Sequence, residues 1–293
     1  MDSSIKNPKG NFLKKLKKKK AKIIRFIIQI VFFVTMPSAF TSAFSGVKYI
    51  FNSLGAGQKL EITSFLLALI ALCAYTVVFG RFFCGYACAF GSFGDYLYEI
   101  GQFVSKKIKI KLPQIPLKIR KALDYLKYVI LIAICALCFL KLYDNLRGYS
   151  PWDVFSMITA GNFKLKAYIL GIILLVLIII GMILQERFFC RFICPMGAVF
   201  SLLPAMPVTA LLRDRQNCRK GCKACLKKCP IDLEISDIKE KNVNAGCIQC
   251  QKCVNICPKS NIKSLIPFIK GNELWWLISR AAVLMALLMA AGI

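Results

Sequence analysis

Apolar residues are concentrated in five segments of the chain, separated by polar and basic stretches. The segments are approximately residues 23–44, 62–80, 126–143, 167–185 and 273–293. Because about 20 apolar residues cross the hydrocarbon core of a bilayer as a helix, each segment is a candidate membrane span. The last segment contains Arg280, so we expect it either to span the membrane or to lie in the interface as an amphipathic anchor. The pattern predicts an all-α integral membrane protein.

Lysine and arginine are unevenly distributed among the intervening stretches. Of the 41 basic residues, 34 lie in residues 1–25, 81–127 and 187–270, and 6 lie in residues 45–61 and 141–166. The positive-inside rule therefore predicts a multi-pass protein of a prokaryotic cytoplasmic membrane, with the N-terminus and the 187–270 region in the cytoplasm. This topology accounts for most of the net charge of +27. We expect contact with membrane lipid and, since no nucleic-acid-binding motif is present, no nucleic-acid partner.

The chain contains 15 cysteines and no histidine. A His-ligated haem and His-containing zinc sites are thereby excluded, so metal chemistry must rest on thiolates. The cysteines cluster in regions that we predict to face the cytoplasm. In that reducing compartment metal binding is more common than disulfide formation.

Two cysteine runs, each ending in Cys-Pro, lie in the last third of the chain. They read Cys218-x3-Cys222-x2-Cys225-x3-Cys229 and Cys247-x2-Cys250-x2-Cys253-x3-Cys257. The second has the spacing of a bacterial two-cluster ferredoxin, in which the fourth cysteine of each run ligates the other cluster. We therefore predict a small α+β ferredoxin-like module with two 4Fe-4S clusters. One is held by Cys218, Cys222, Cys225 and Cys257, and the other by Cys229, Cys247, Cys250 and Cys253.

Other interpretations of these runs are a pair of zinc sites or clusters with a purely structural role. Cysteine-only zinc sites use paired Cys-x2-Cys spacing rather than triplets followed by Cys-Pro, which favours iron–sulfur clusters. Two adjacent clusters on a membrane anchor favour electron transfer. The lysines around the runs either attract an acidic partner or form a solvated face.

A twelve-residue motif occurs twice, at residues 81–92 and 187–198. The two copies share an arginine, two phenylalanines, two cysteines and a glycine at the same positions. Each copy follows a candidate span at its predicted cytoplasmic end. We therefore predict internally duplicated two-helix units of the same orientation, related by an axis along the membrane normal.

Each copy of the motif contains a Cys-x3-Cys pair. The pairs are Cys84 with Cys88 and Cys190 with Cys194. Residues four apart share one face of a helix, and a twofold axis would bring the two pairs together. Four thiolates can hold a cluster, so we predict either a third iron–sulfur cluster or redox-active thiols that meet a quinone. The alternative is small packing residues at helix ends. Asp95 and Glu99 either accept a quinol proton or form a polar helix edge.

These segments and motifs divide the chain into six regions. They are a basic cytoplasmic N-terminus (1–22), a first transmembrane repeat (23–105), a basic cytoplasmic linker (106–125), a second transmembrane repeat (126–212), the ferredoxin module (213–270) and a C-terminal transmembrane or interfacial helix (271–293).

The duplicated Phe-Cys-x3-Cys motif, Cys194-Pro195-Met196-Gly197 and the paired ferredoxin runs resemble those of the NapH-type membrane polyferredoxins. This group is related to quinol dehydrogenase accessory subunits, to the membrane domain of the nitrous-oxide reductase regulator and to a cytochrome-oxidase-linked membrane ferredoxin. The resemblance implies two cytoplasmic 4Fe-4S clusters and electron exchange between a quinone pool and a partner. The chain departs from the pattern at Ala89, where the family has proline, and in the longer first ferredoxin run.

We therefore expect a membrane-bound iron–sulfur protein that exchanges electrons between a quinone pool or cytoplasmic reductant and a partner redox protein. It would work within a larger membrane redox complex, as a component of a quinol dehydrogenase-type oxidoreductase. The alternatives are a metal-ion reductase or assembly factor for a metalloenzyme, and a membrane anchor subunit without turnover of its own.

Overall fold

The computed structural model is mostly helical. It describes residues 8–110, 112–113, 115–143, 149–162, 168–206, 211–219, 221–237, 244–259, 261–264 and 273–293. Parts of every predicted region except the first transmembrane repeat lie outside these residues, among them 1–7 of the basic N-terminus and 238–243 and 265–270 of the ferredoxin module.

The first part of the chain forms four α-helices and one π-helical turn. They are α1 (Pro8–Thr35), α2 (Ala39–Ala56), α3 (Ser64–Phe79), the turn π1 (Phe83–Ala87) and α4 (Ala89–Ile108). Helix α3 begins after Thr63, whose hydroxyl accepts a hydrogen bond from the Leu66 N–H and so satisfies a free donor of the first turn. It ends at Gly80, whose φ of 67° is readily adopted by glycine.

The second part ends with the same order of elements as the first, a helix, a π-helical turn and a further helix. It contains α5 (Leu117–Leu123), α6 (Leu126–Phe139), α7 (Pro151–Thr159), α8 (Ile169–Leu184), the turn π2 (Phe189–Ile193) and α9 (Pro195–Leu202). The turn π2 lies 106 residues after π1 (189 minus 83), and α8 and α9 follow α3 and α4 at nearly the same separation.

The apolar segments form helices, but the first one differs from the prediction. Residues 23–44 do not form one straight helix, because α1 ends at Thr35 and α2 begins at Ala39 with a bend of 59° between them. Pro37 lies at the break, and a proline removes a helical hydrogen bond and clashes with the preceding turn.

By length and composition, one helix of the described part can cross a membrane alone. It is Leu117–Phe139, in which α5 and α6 follow one another, and the bent pair of α1 and α2 qualifies if it counts as one span. Helices α3, α8 and Trp275–Ala290 are apolar but shorter. Helix α8 packs against α4 and α7, and α2 packs against α3 and α6, so the two parts of the chain share one core.

Aromatic rings fill the boundary between the two parts. The Phe90 and Phe189 ring centroids are 4.1 Å apart, and Phe40 and Phe155 pack against Phe90 from other helices. These rings bury a large apolar area directly beside the two π-turns, which fixes the turns relative to each other.

The last part of the chain carries the two cysteine runs. Strands β1 (Leu211–Arg213) and β2 (Ile262–Ser264) pair antiparallel, with Leu211 opposite Ser264. Between them lie the short helices α10 (Ala224–Lys227) and α11 (Lys252–Ile256), which contact each other. Helix α12 (Glu273–Ala290) then returns to the helical core and packs against α3, α1 and π1.

Candidate metal centres

The two Cys-x3-Cys motifs adopt the same backbone conformation. In each, a five-residue π-helical turn carries the first cysteine, and the second cysteine is the N-cap of the next helix. The φ and ψ angles are −66° and 116° at Cys88, and −65° and 113° at Cys194. The replacement of proline by Ala89 therefore leaves the first motif's geometry unchanged. Single π-helical turns are rare and often occur at functional sites.

The four motif cysteines are buried and lie together between the two parts of the chain. Burial raises the pKa of Cys194 well above its ordinary value, and the thiols of Cys190, Cys84 and Cys88 raise it further. Burial likewise raises the pKa of Cys88, as do Cys190 and Cys84. The structure thus brings together all four thiols that the sequence predicted to meet. We call this group the four-thiol site.

The shared arginine and glycine of the motif hold the two copies against each other. A Cβ on Gly91 would overlap Arg187 Nη1 and lie 3.3 Å from Cys190 Sγ, whereas a Cβ on Gly197 would lie 3.2 Å from Arg81 Nη2. Each arginine therefore reaches the glycine of the other copy. A Cβ on Gly91 would require Arg187 to move, whereas a Cβ on Gly197 would require only a small shift of Arg81.

Asp95 is the centre of a buried ion-pair network beside the four-thiol site. Arg187 donates to it through Nε at 2.8 Å and through Nη2, and Arg25 Nη2 donates at 2.6 Å. Gln29 adds a bond at 2.9 Å. Burial alone would raise the pKa of Asp95, but Arg187 and Arg25 outweigh it and hold the pKa well below its usual range. Asp95 therefore stays ionised near neutral pH and is a weak base, and the role as an acceptor of a quinol proton stays a prediction.

Glu99, the second predicted proton acceptor, lies on the surface of α4. Its carboxylate is 3.3 Å from Lys22 Nζ, and both side chains are more than half exposed. No local sequence pattern indicates the Asp95 network, because its arginines come from α1 and from the second motif copy.

Four cysteines of the two runs line one largely apolar cavity, which we call the proximal cavity. They are Cys229, Cys247, Cys250 and Cys253, one of the two predicted ligand sets. Ile231, Leu233 and Ile248 complete the wall, and the cavity encloses about 560 Å³ including its open mouth. Burial raises the pKa of Cys247 to about 12, and the neighbouring thiols Cys250 and Cys229 contribute.

Three cysteines of the other predicted set line a second, more open cavity, the distal cavity. They are Cys218, Cys222 and Cys225, with Arg213, Arg215, Arg219 and Lys223 around them. The fourth, Cys257, packs instead in a small apolar cluster that includes Cys225 and Ile262. Its sulfur accepts a hydrogen bond from the Asn261 N–H at 3.4 Å.

The donor chemistry of these cavities fits iron–sulfur clusters. Cysteine thiolates are the usual cluster ligands, and the proximal cavity offers four in apolar surroundings. Within the described residues, no three thiol or carboxylate groups are arranged to hold a single metal ion.

The proximal cavity lies directly against the two π-turns. A Cβ on Gly85 would overlap the carbonyl oxygen of Ile248, so the backbones of π1 and the Cys247–Cys250 loop are in contact. Arg25 Nη1 donates to the Cys250 carbonyl at 3.3 Å. On the other side, Arg191 Nη1 donates to Asp232 at 2.6 Å, and its remaining nitrogens bind Asp124. Asp232 follows Cys229 by three residues, so both turns contact loops of the same cavity.

Comparison with known protein families gives two matches to one domain family. The 4Fe-4S binding domain matches residues 62–111 and residues 168–211. Each match contains one π-turn and its Cys-x3-Cys pair. No solved structure is significantly similar to the chain.

Similar proteins cover most of the chain. An uncharacterized protein of Methanocaldococcus jannaschii, MJ0749, is 30% identical over 254 residues, 87% of this chain and 91% of that protein. The ferredoxin-type protein NapH of Haemophilus influenzae is 22% identical, over 76% of this chain and 75% of its own. The protein NirI of Paracoccus denitrificans is 28% identical over 63% of this chain, which is 27% of NirI. The chain therefore belongs to the membrane polyferredoxin-type family, and its chemistry is iron–sulfur electron transfer.

Proposed function

We propose that this protein carries electrons between the membrane and a redox partner through three thiolate-held centres. The centres are a cluster at the four-thiol site, a cluster in the proximal cavity and a cluster in the distal cavity. The observation that carries the proposal is the backbone contact between Gly85, next to Cys84, and Ile248, between Cys247 and Cys250. At this contact the backbone of π1, which carries Cys84, touches the backbone of the loop that carries Cys247 and Cys250.

The three proposed centres would form a series. Loops of the proximal cavity touch both π-turns, whereas the distal cavity, as far as the structure describes its wall, is lined by no residue of either π-turn and opens to solvent among basic side chains. Electrons would therefore pass between the four-thiol site and the distal cluster by way of the proximal cluster. Iron–sulfur clusters supply one-electron transfer when bound, and this chain's residues hold them in order and shield them from water.

The membrane end of the series would meet a quinone. Helix α4 begins at the four-thiol site and leaves several large apolar side chains exposed, among them Ile100, Phe103 and Ile108. An amphipathic helix of this kind lies in a membrane interface, where a quinone headgroup is also found. Asp95 would be a weak acceptor for the quinol proton, because Arg187 and Arg25 stabilise its ionised form.

The partner end would bind an acidic redox protein. Arg219 and Lys223 are exposed beside the distal cysteines and favour a positive potential on this face, whereas the exposed Arg215 pairs with Glu234 and Asp237. Complementary charge speeds the encounter of two proteins and orients them.

The proposal includes an internally duplicated, multi-pass scaffold with the ferredoxin module in the cytoplasm. It is supported by the matching backbone conformations of π1 and π2 and by the two domain matches. It is also supported by the reciprocal contacts in which Arg81 and Arg187 each reach the glycine of the other copy. The arrangement of basic residues supports the orientation.

Anaerobic reduction by a soluble quinol analogue tests this function. We expect the quinol to reduce the clusters of the wild type, and Cys84→Ser with Cys190→Ser to abolish this while dithionite still reduces both ferredoxin clusters. Cys73→Ser, a cysteine of α3 outside the proposed centres, is the matched control and should behave as wild type. A loaded wild type that no quinol reduces would contradict the quinone role. Oxidation of reduced clusters by metal ions instead would indicate a metal-ion reductase.

A further inference from the structure

Arg280 is a buried cation in the middle of an apolar helix. Its side chain is 1% exposed, and neither Nε nor Nη1 has a hydrogen-bond partner. The guanidinium carbon lies 4.9 Å from the ring centroid of Phe82 and 5.4 Å from that of Trp276. These contacts give a modest cation–π attraction but leave its charge without an anion.

Arg81, the first residue of the first motif copy, is a second buried arginine. It is 3% exposed, its Nη1 donates to the Gly246 carbonyl at 3.3 Å, and its Nε has no partner. Within the described residues, neither Arg81 nor Arg280 forms an ion pair with a carboxylate. By contrast, the buried Arg187 pairs with Asp95, and Arg191 pairs with Asp124 and Asp232.

Both arginines are near Cys247 of the proximal cavity. Arg81 binds the carbonyl of Gly246, its chain neighbour, and the Arg81 charge acts on the Cys247 thiol. Cys247 also lies within electrostatic reach of Arg280, as do Tyr75 and Tyr86. Lys252 and Arg25 add positive charge on the Cys250 side, although each of them has a carboxylate partner.

A buried charge without a partner is costly, so a fold rarely keeps two of them near one point without an anion between them. The anion available at this point is the group of four thiolates around the proximal cavity. Thiolates that hold a cluster carry net negative charge, and reduction makes that charge more negative by one.

We propose that Arg81 and Arg280 are the counter-charges of the proximal cluster and raise its reduction potential. The inference rests on the proposed function, because it requires the proximal cavity to hold a cluster. It assigns a role to the arginine that interrupts the last apolar segment: Arg280 brings positive charge from the membrane helix to the electron carrier. Nearby positive charge favours the reduced form because that form is the more negative.

An EPR-monitored redox titration of the anaerobic full-length protein tests this. We expect Arg280→Met to make reduction of one cluster at least tenfold less favourable, a downward shift of about 59 mV for one electron. Arg81→Gln should lower the reduction potential of the same cluster. Arg280→Lys keeps the positive charge and should therefore retain most of the wild-type potential. Lys106→Gln, which removes an exposed charge from α4, is the control and should shift the potential of none of the three clusters.

The signals are assigned with two variants: Cys222→Ser should alter only the distal signal, and Cys84→Ser with Cys190→Ser should remove only the signal of the four-thiol site. A shift confined to the four-thiol signal would overturn the inference. Unchanged potentials in loaded Arg280→Met and Arg81→Gln would overturn the inference and leave the proposed function standing. A shift confined to the distal signal would also overturn it. A wild type without EPR-active clusters would overturn both. If Arg280→Met does not fold, the outcome with Arg81→Gln and Arg280→Lys decides.

Discussion

The two copies of the Cys-x3-Cys motif have the same backbone but contact the ferredoxin module differently. At the third position of the π-turn the first copy has Gly85 and the second has Arg191. Gly85 allows the backbone of the Cys247–Cys250 loop to touch π1, whereas Arg191 reaches out to Asp232. One scaffold thus holds two loops of the proximal cavity, one by close packing and one by charge.

A second difference between the copies lies in the helix that follows each π-turn, α4 in the first copy and α9 in the second. The first copy has Asp95, which pairs with Arg187 from the other copy. The second copy has Ser201 at the equivalent position, and its hydroxyl bonds to Tyr128 instead. Arg81 consequently lacks a carboxylate within the described residues and turns to Gly246 in the ferredoxin module. Arg187 thus forms an ion pair with Asp95, whereas Arg81, opposite a serine, contacts the ferredoxin module.

The largest effect on the free energy of unfolding is expected when Asp95, the buried acid of the first copy, is replaced. Asp95→Asn leaves Arg25 and Arg187 buried without a counter-charge, so we expect a loss of about 3–5 kcal/mol of unfolding free energy. The control, Glu99→Gln, breaks an exposed pair and should cost about 1 kcal/mol or less. Denaturant unfolding in detergent measures both. Equal effects of the two variants would contradict the difference in burial.

The Asp95 contribution should also depend on pH. Its folded-state pKa is lowered, so its stabilisation is fully present above the unfolded-state pKa of about 3.9 and is lost as the pH falls from there. The difference between wild type and Asp95→Asn should therefore be constant near neutral pH and shrink below about pH 4. Unfolding curves over this range test the sign, and a difference that grows in acid would refute it.

A smaller effect is expected at the close contact of the first copy. Gly85→Ala adds a Cβ that overlaps the Ile248 carbonyl, so the ferredoxin loop must shift, at a cost of about 1–3 kcal/mol. We expect slower quinol reduction with iron content retained. Gly94→Ala is the control, because its Cβ would meet only the flexible end of Met182 at 3.2 Å. Stopped-flow reduction kinetics compare the two, and identical rates would exclude the contact as the route.

The smallest effect is expected at the charged contact of the second copy. Arg191→Gln removes ion pairs to Asp124 and Asp232, but both acids are partly exposed and Asp232 retains Arg120 at 2.8 Å. We expect a loss of about 1 kcal/mol, reduced by added salt. Thermal unfolding at two salt concentrations measures it. A loss as large as that of Asp95→Asn would show that the two contacts are not different in kind.

Much of the local structure could be predicted from the sequence, because it depends on local patterns. The apolar segments form helices, and four cysteines assigned to one ligand set by spacing line the proximal cavity. The break at Pro37 was also visible in the sequence, although the apolar run across it suggested a single span. Iron binding by the individual cysteines stays a prediction.

The long-range pairing could not be predicted in this way. Asp95 meets Arg25 and Arg187, which lie 70 and 92 residues away, and no local pattern connects them. The sequence shows an arginine and a glycine in both motif copies. That each arginine contacts the glycine of the other copy follows only from the positions of both π-turns. The difference between Gly85 and Arg191 likewise has meaning only once the ferredoxin loops are placed.

The iron content of the anaerobically purified protein, measured with acid-labile sulfide and EPR, tests the central claim most directly. If the four-thiol site holds a third cluster, the wild type contains about 12 irons per chain, four for each cluster. Cys84→Ser with Cys190→Ser should lower this to about 8 and remove one EPR signal. A fully loaded wild type with about 8 irons, unchanged in that variant, would contradict the account.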